Sequence, residues 1–289
     1  MSTAELTDVA APAARSADAA AGELGCHALP PPHRRATVPR IAAVLRDLAL
    51  AFVVYLAYAQ VRDRHGVSTA GAAEQARGNG LWVAHLEAAL HLDGERGLQD
   101  HVLGHPGLVR LLNGWYGGAH FAVTATVVVA LLVAGGRRWH AWLRVLLLAT
   151  LVGVAVAAVL PTTPPRLLPP PAGLVDTLDV FGGLWSYDDG SLEHIADPFA
   201  AMPSLHLVWA SWCALVLWQV TARRVVRAAA VLYPTVTALV VVATGNHFVL
   251  DAVAGVAVTV LVAGVLRRPL PFGPRLRRRT RQLRPSPRG

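Results

Sequence analysis

Apolar positions in this chain run on without interruption instead of recurring every three or four residues, the pattern of membrane-crossing helices and not of amphipathic surface helices. Six such runs predict spans at 41–61, 115–134, 142–160, a fourth that begins within FAAMPSLHLVWASW and ends near Val220, 228–244 and 248–266. Arg46 and Asp47 lie near the start of the first, where a snorkelling pair is tolerable. Between the first two spans, residues 81–92 (LWVAHLEAALHL) mix apolar and polar positions at near-helical spacing and are too short to cross, so they predict an amphipathic helix lying on the membrane surface. After the third span comes PTTPPRLLPPP, whose six prolines exclude a regular helix and leave Arg166 on a stiff extended segment. The connection 167–201 carries Asp176, Asp179, Asp188, Asp189, Glu193 and Asp197 without an arginine or lysine, and reads as a lid or headgroup-facing cover. The expected fold is all-α and polytopic, with six transmembrane helices and one interfacial helix. A disordered cytoplasmic tail (1–38) precedes the membrane domain (39–267), and a basic cytoplasmic tail (268–289) follows it.

Composition agrees with a membrane protein: 54% of the 289 residues are hydrophobic and only 15% charged. All 26 basic residues are arginine, giving a formal charge of +8, and nine of them lie in 267–288. That tail suits a cytoplasmic face and anionic lipid. It lacks the aromatic interleaving and recognition motifs of a nucleic-acid binder. Arginine clusters fall before the first span, between the second and third, between the fourth and fifth, and after the sixth. Basic loops stay inside, so both termini are expected in the cytoplasm and the other three loops outside. Residues 1–38 have no continuous apolar core and do not read as a cleaved signal peptide. Lysine-free usage points to a GC-rich bacterial genome, hence the plasma membrane. Cys26 falls in a tail and Cys213 in mid-membrane, so no structural disulfide is expected.

Candidate chemistry gathers on the outward loops. In ATGNHFVLDAVAG, His247 and Asp251 stand one helical turn apart, so the carboxylate can accept the proton of one ring nitrogen and leave the other to act. Fifteen uncharged residues follow Asp251, and an acid entering such a run is functional by default. Ser204 and His206 open the fourth span, and Arg166 precedes it on the proline segment, so topology sets all of these at one membrane depth. Two histidines, an acid, a guanidinium and a hydroxyl suit phosphoryl transfer: one imidazole attacks phosphorus, a second protonates the leaving oxygen, and cationic and neutral donors hold the equatorial oxygens. Tyr116 and His120, one turn apart, either line a polar pocket or anchor in the interfacial aromatic belt, and sequence favours anchoring. His85, His91, His101 and His105 invite a metal reading, but Gly104 and Pro106 break the helix at the best-spaced pair and no acid stands between the two.

The motifs PSLH at 203–206 and GNHFVLD at 245–251, with the proline-flanked Arg166 before them, resemble those of the phosphatidic acid phosphatase type 2 superfamily, most of all its branch related to inositol phosphorylceramide synthase. The resemblance covers about residues 80–266. It implies a six-helix core with the site at the extracytoplasmic surface, no metal and no cofactor. By position it implies His247 as the nucleophile that forms a phosphohistidine, Asp251 as its orienting acid, and His206 as the acid for the leaving group and the later activator of the acceptor. Arg166 and Ser204 would hold phosphate oxygens. Asn246, beside His247, is a further candidate for the pocket lining, as Tyr116 and His120 are on the first of their two readings.

The chain departs from the superfamily pattern at Val159, Leu167, Leu205 and Val241, where a lysine, a proline, a glycine and an arginine are expected. Two cationic phosphate ligands are therefore missing. A monoester carries nearly two charges and a diester one, so the expected activity is transfer from a phosphodiester lipid to an alcohol. Lipid phosphate hydrolysis is the alternative. A transporter or lipid-binding protein that keeps the fold is the reading from another class. The bilayer and a lipid are the expected partners; the donor lipid, the acceptor and the oligomeric state are not legible in the sequence.

Overall fold

The computed structural model describes residues 38–66, 70–134, 137–182 and 199–267; the tails and residues 183–198, the second half of the acidic connection, lie outside them. The chain divides into two units, 1–42 and 43–289, and the second holds the core and the site. The elements in order are α1 (Val38–Gly66), α2 (Ala70–Ala89), α3 (Glu95–Leu103), α4 (Pro106–Gly114), a π-helical turn (Trp115–Ala119), α5 (His120–Ala134), α6 (Arg137–Val159), a 3-10 turn (Pro165–Leu167), α7 (Thr177–Phe181), α8 (Leu205–Val220), α9 (Arg224–Ala243) and α10 (Val249–Arg267).

Among the described residues, four helical stretches are long and apolar enough to cross a membrane: Pro106–Val133, His140–Val159, Arg224–Ala243 and Val249–Leu266. Helix α8 is a fifth, shorter apolar helix. The 29-residue α1 is long enough but carries Arg46, Asp47, Arg62, Asp63 and Arg64, and it is not among the four. Two starts fall far earlier than the apolar pattern predicts, at Pro106 against 115 and at Ala70 against 81. The second predicted span begins at Pro106, because proline at the first helical position costs no hydrogen bond and α4 runs through the π turn into α5. The interfacial helix begins at Ala70, since the alanine-rich stretch 70–80 has helix propensity without amphipathic pattern.

Helix α8 is the hub and packs against α5, α6, α9 and α10. Apolar side chains gain little by leaving lipid, so close packing and hydrogen bonds between helices hold such a bundle. Trp212, fully buried, donates its indole N–H to the Trp142 carbonyl at 2.8 Å, and Trp209 donates to Thr150 Oγ1 at 3.0 Å. Thr259 of α10 donates to the Val208 carbonyl at 3.0 Å. At Gly255 the two helices come so close that a Cβ would lie 2.4 Å from the Ser204 carbonyl oxygen. At the other end of the bundle, buried Asp47 of α1 is held by Arg46 at 2.8 Å and by His140 Nδ1 of α6 at 2.5 Å.

The proline segment is pinned on both sides. Asn79 of α2 donates to the Pro161 carbonyl at 2.7 Å, and Thr163 N–H donates to the Ala76 carbonyl at 3.1 Å. Thr162 forms an isolated parallel bridge with Ala200. The prolines cannot extend α6, and they fix Arg166 where this clamp leaves it.

Candidate active site

His247 sits in the turn between α9 and α10. The turn is built on Gly245, whose φ of +70° favours glycine and where a Cβ would approach Arg166, Gln99 and Leu174 to 3.3 Å. His247 therefore precedes α10 instead of lying on it, which corrects the one-helix-face expectation. Asp251 occupies the first turn of α10, and its Oδ2 accepts the Phe248 N–H at 2.9 Å, half of a capping box. The same oxygen lies 3.4 Å from His247 Nδ1, but the closer partner of Nδ1 is the Ala201 carbonyl at 2.9 Å. A carbonyl can only accept, so this contact places the proton on Nδ1 and leaves Nε2 with its lone pair.

The segment leading into α8 closes on this turn. Ser204 N–H donates to the Asp251 carbonyl at 3.0 Å, which ties the start of α8 to the first turn of α10. Ser204 Oγ and Asp251 Oδ1 are both buried and have no hydrogen-bond partner among the described residues, which is uncommon for interior polar atoms and fits groups reserved for a ligand or water. His206, in the first turn of α8, has its ring 5.5 Å from that of His247 between centroids. Tyr116 stacks on His206 at 4.4 Å, and His120 meets it edge-on at 4.3 Å. The sequence favoured these two as interfacial anchors; the structure instead packs both rings against His206. The π turn is the reason, because it shifts the helix phase between α4 and α5, and such turns concentrate at functional sites.

Arg166 approaches from the 3-10 turn. Its backbone N–H donates to the Gly245 carbonyl at 2.9 Å, and its Nε donates to Asn246 Oδ1 at 3.0 Å. Asn246 is fixed in turn through Nδ2 to Thr244 Oγ1 at 2.8 Å. Asn246 thus aims the arginine. The guanidinium is also ion-paired with Asp176, which the sequence placed in a covering loop. Asp176 is the N-cap of α7, accepting from Leu178 and Asp179 N–H groups at 3.1 and 3.3 Å. Residues 167–182 are no loose cover: Asn113 bonds Thr177 and Gly182, and Arg96 bonds the Pro171 and Gly173 carbonyls at 2.7 Å.

Two further carboxylates were not legible. Glu87 of α2, almost fully buried, accepts the Leu250 N–H at 2.6 Å, and Glu95 of α3 accepts the Val249 N–H at 3.4 Å. With Asp251 they occupy three successive N–H groups at the start of α10, where a helix end favours negative charge. Burial, and next the hydrogen bond with Glu95, push the Glu87 carboxyl up to about 9. Glu87 thus keeps its proton beside the turn that carries His247. Of the surface histidines, His101 turns its Nδ1 to the Gly97 carbonyl at 2.5 Å, and His105 stands at the break before α4.

The model of the PAP2 superfamily matches residues 81–265, well over half of the chain. No curated protein and no solved structure matches.

Proposed function

The chain belongs to the PAP2 superfamily and is a membrane enzyme of the phosphatase or phosphotransferase type; from that premise we propose that it transfers a phosphoryl group from a phosphodiester lipid to an alcohol, through a phosphohistidine on His247, in the manner of the inositol phosphorylceramide synthase-like branch. The observation that carries the diester reading is the pairing of Arg166 with Asp176. The superfamily's other cationic positions are Val159 and Val241, and the remaining arginine is largely neutralised by its partner. Such a site suits one negative charge better than two.

In the proposed sequence, His247 Nε2 attacks phosphorus as the bond to the leaving oxygen breaks, and His206 supplies that oxygen with a proton. An acceptor hydroxyl then gives its proton to His206 and attacks the same phosphorus, and the phosphorus–nitrogen bond breaks to restore His247. Asp251 and the Ala201 carbonyl hold the tautomer and balance the charge that develops on the ring. Ser204 Oγ, unpartnered and buried, and the Arg166 guanidinium face the phosphoryl oxygens. We place this chemistry at the extracytoplasmic face of the plasma membrane, with both termini in the cytoplasm and six spans, α1 and α8 included. The apolar outer face of α1, with Leu45, Leu48, Phe52 and Val53 exposed, supports its membrane placement.

The test is a donor and acceptor screen on detergent-purified protein with labelled phosphatidylinositol, phosphatidylglycerol and phosphatidic acid, with and without lipid alcohols. A new phosphorylated lipid that needs the alcohol and vanishes in His247→Ala is the expected result. Rapid phosphate release from phosphatidic acid with no diester processed would sink the transferase reading in favour of monoester hydrolysis.

A further inference from the structure

A lateral groove of about 1020 Å3 runs down the bundle between α9 and α10, with α8 as its floor. Both outer helices pack along α8 but touch one another little, so the gap between them stays open on the side facing lipid. Its walls are aliphatic, with Trp218 at one end and the hydroxyls of Ser211 and Thr235 as the polar side-chain groups, and among the described residues no ionisable side chain lines it. The groove spans Leu207 to Trp218 on α8, Val231 to Val242 on α9, and Val249 to Val260 on α10. Each interval is one of eleven steps, roughly 16 Å at the rise of an α-helix. That is about the depth of one leaflet's hydrocarbon.

Its upper end abuts the candidate active site. Leu207 follows His206 directly, and Val249 is two residues past His247. Leu207, Val242 and Ala252 form one apolar cluster with Leu98, Val249 and Tyr116, and Tyr116 is the ring stacked on His206. We propose that this groove seats one hydrocarbon chain of the lipid substrate, which reaches from the phosphate at His247 toward mid-membrane. The inference rests on the phosphoryl-transfer reading and adds to it the place where the substrate's chain lies. A chain held there converts binding to the lipid tail into alignment at phosphorus, so truncated substrates lose turnover as well as affinity.

The experiment uses the full chain in nanodiscs and compares a long-chain phospholipid with a short-chain, water-soluble analogue of the same phosphate group. Ala257→Trp, at an exposed position, and Ala238→Trp, at a half-buried one, fill the groove; Leu261→Trp, exposed on the same helix outside it, is the control. The groove variants should lower kcat/KM for the long-chain substrate about tenfold, change the soluble one less than twofold, and leave the control unaffected on both. Equal loss on both substrates, no loss on either, or the same loss in the control would overturn the groove as a chain site. Phosphatidylglycerol and phosphatidic acid carrying a mid-chain diazirine give a readout that does not need turnover. Labelling should concentrate on 231–242 and 249–260 and fall when unlabelled lipid of the same kind is added. Uniform labelling that ignores the competitor means annular lipid only. A wild type inert toward both substrates, with competable labelling, would refute the phosphotransfer reading and leave the groove standing.

Discussion

The charge at Arg166 is set by Asp176, ten positions further along the chain. Replacing Asp176 by Asn keeps an N-cap side chain for α7 but releases the guanidinium. Turnover of phosphatidic acid relative to phosphatidylglycerol should then rise roughly tenfold, or ~1.4 kcal/mol in relative transition-state binding. Paired kcat/KM measurements check this, and an unchanged ratio would mean that this charge does not select the substrate. At this scale the sequence shows the residues but not their partners. His247 and Asp251 are legible because they are near neighbours in a motif that crosses from loop to apolar run. The Ala201 carbonyl is not, because any backbone oxygen could serve and only the fold brings residues 201 and 247 together. Asp176 does carry a local signal, an acid opening the short run TLDVF, but capping fixes only one of its oxygens; the other is claimed across space by Arg166.

Helix α10 owes its position to what grips its first turn and to how closely α8 can approach it. Glu87 holds its proton in the folded chain up to about pH 9, whereas an unfolded glutamate releases it near 4.5. Between those values the folded chain retains a proton that the unfolded chain has given up, so the Glu87 contribution to stability falls as pH rises through that window. Melting temperatures of Glu87→Gln should therefore vary less with pH than wild type, with Glu95 and Asp251 left as the neighbouring acids; a parallel slope in the two proteins would refute the assignment. At Gly255 even a methyl group meets the Ser204 carbonyl, so Gly255→Leu must push the helices apart, at a cost of about 1–3 kcal/mol. A lower Tm, with activity lost alongside it, is the expected outcome. Long apolar runs made α6, α9 and α10 legible to within a few residues. Helix α2 shows only its latter half as an amphipathic pattern, and the π turn leaves no mark in hydropathy because its extra residue changes phase and not polarity.

For the molecule as a whole, the distribution of charge predicts the orientation in the membrane. With Cys26 and Cys213 replaced by Ala, a single cysteine at Val175 should react with a membrane-impermeant maleimide added to intact cells. One at Val225, strongly exposed at the start of α9, should react only after permeabilisation. The reverse pattern would turn the protein over in the membrane and put the chemistry in the cytoplasm. Legibility at this scale came from the arginine clusters alone: they put residues 166, 204–206 and 247 on one side before any contact was known. The structure brings the same residues within one cluster of contacts, while the packing of α2, α3 and α4 around that cluster could not be read from charge.

The five-residue turn at Trp115–Ala119 carries a further consequence for how this chain can vary in length. Each residue of an α-helix advances about 100° around the axis. Deleting one position there, such as Gly118, would restore regular winding, shorten the spacing of Tyr116 and His120 from four residues to three, and rotate α4 with Tyr116 about the axis relative to α5. The stacking of Tyr116 on His206 should then weaken, although every side chain of the contact remained in the sequence. Substitution at Gly118, which has open space around it, should be far better tolerated than its removal. The length of this segment is therefore constrained more tightly than its composition.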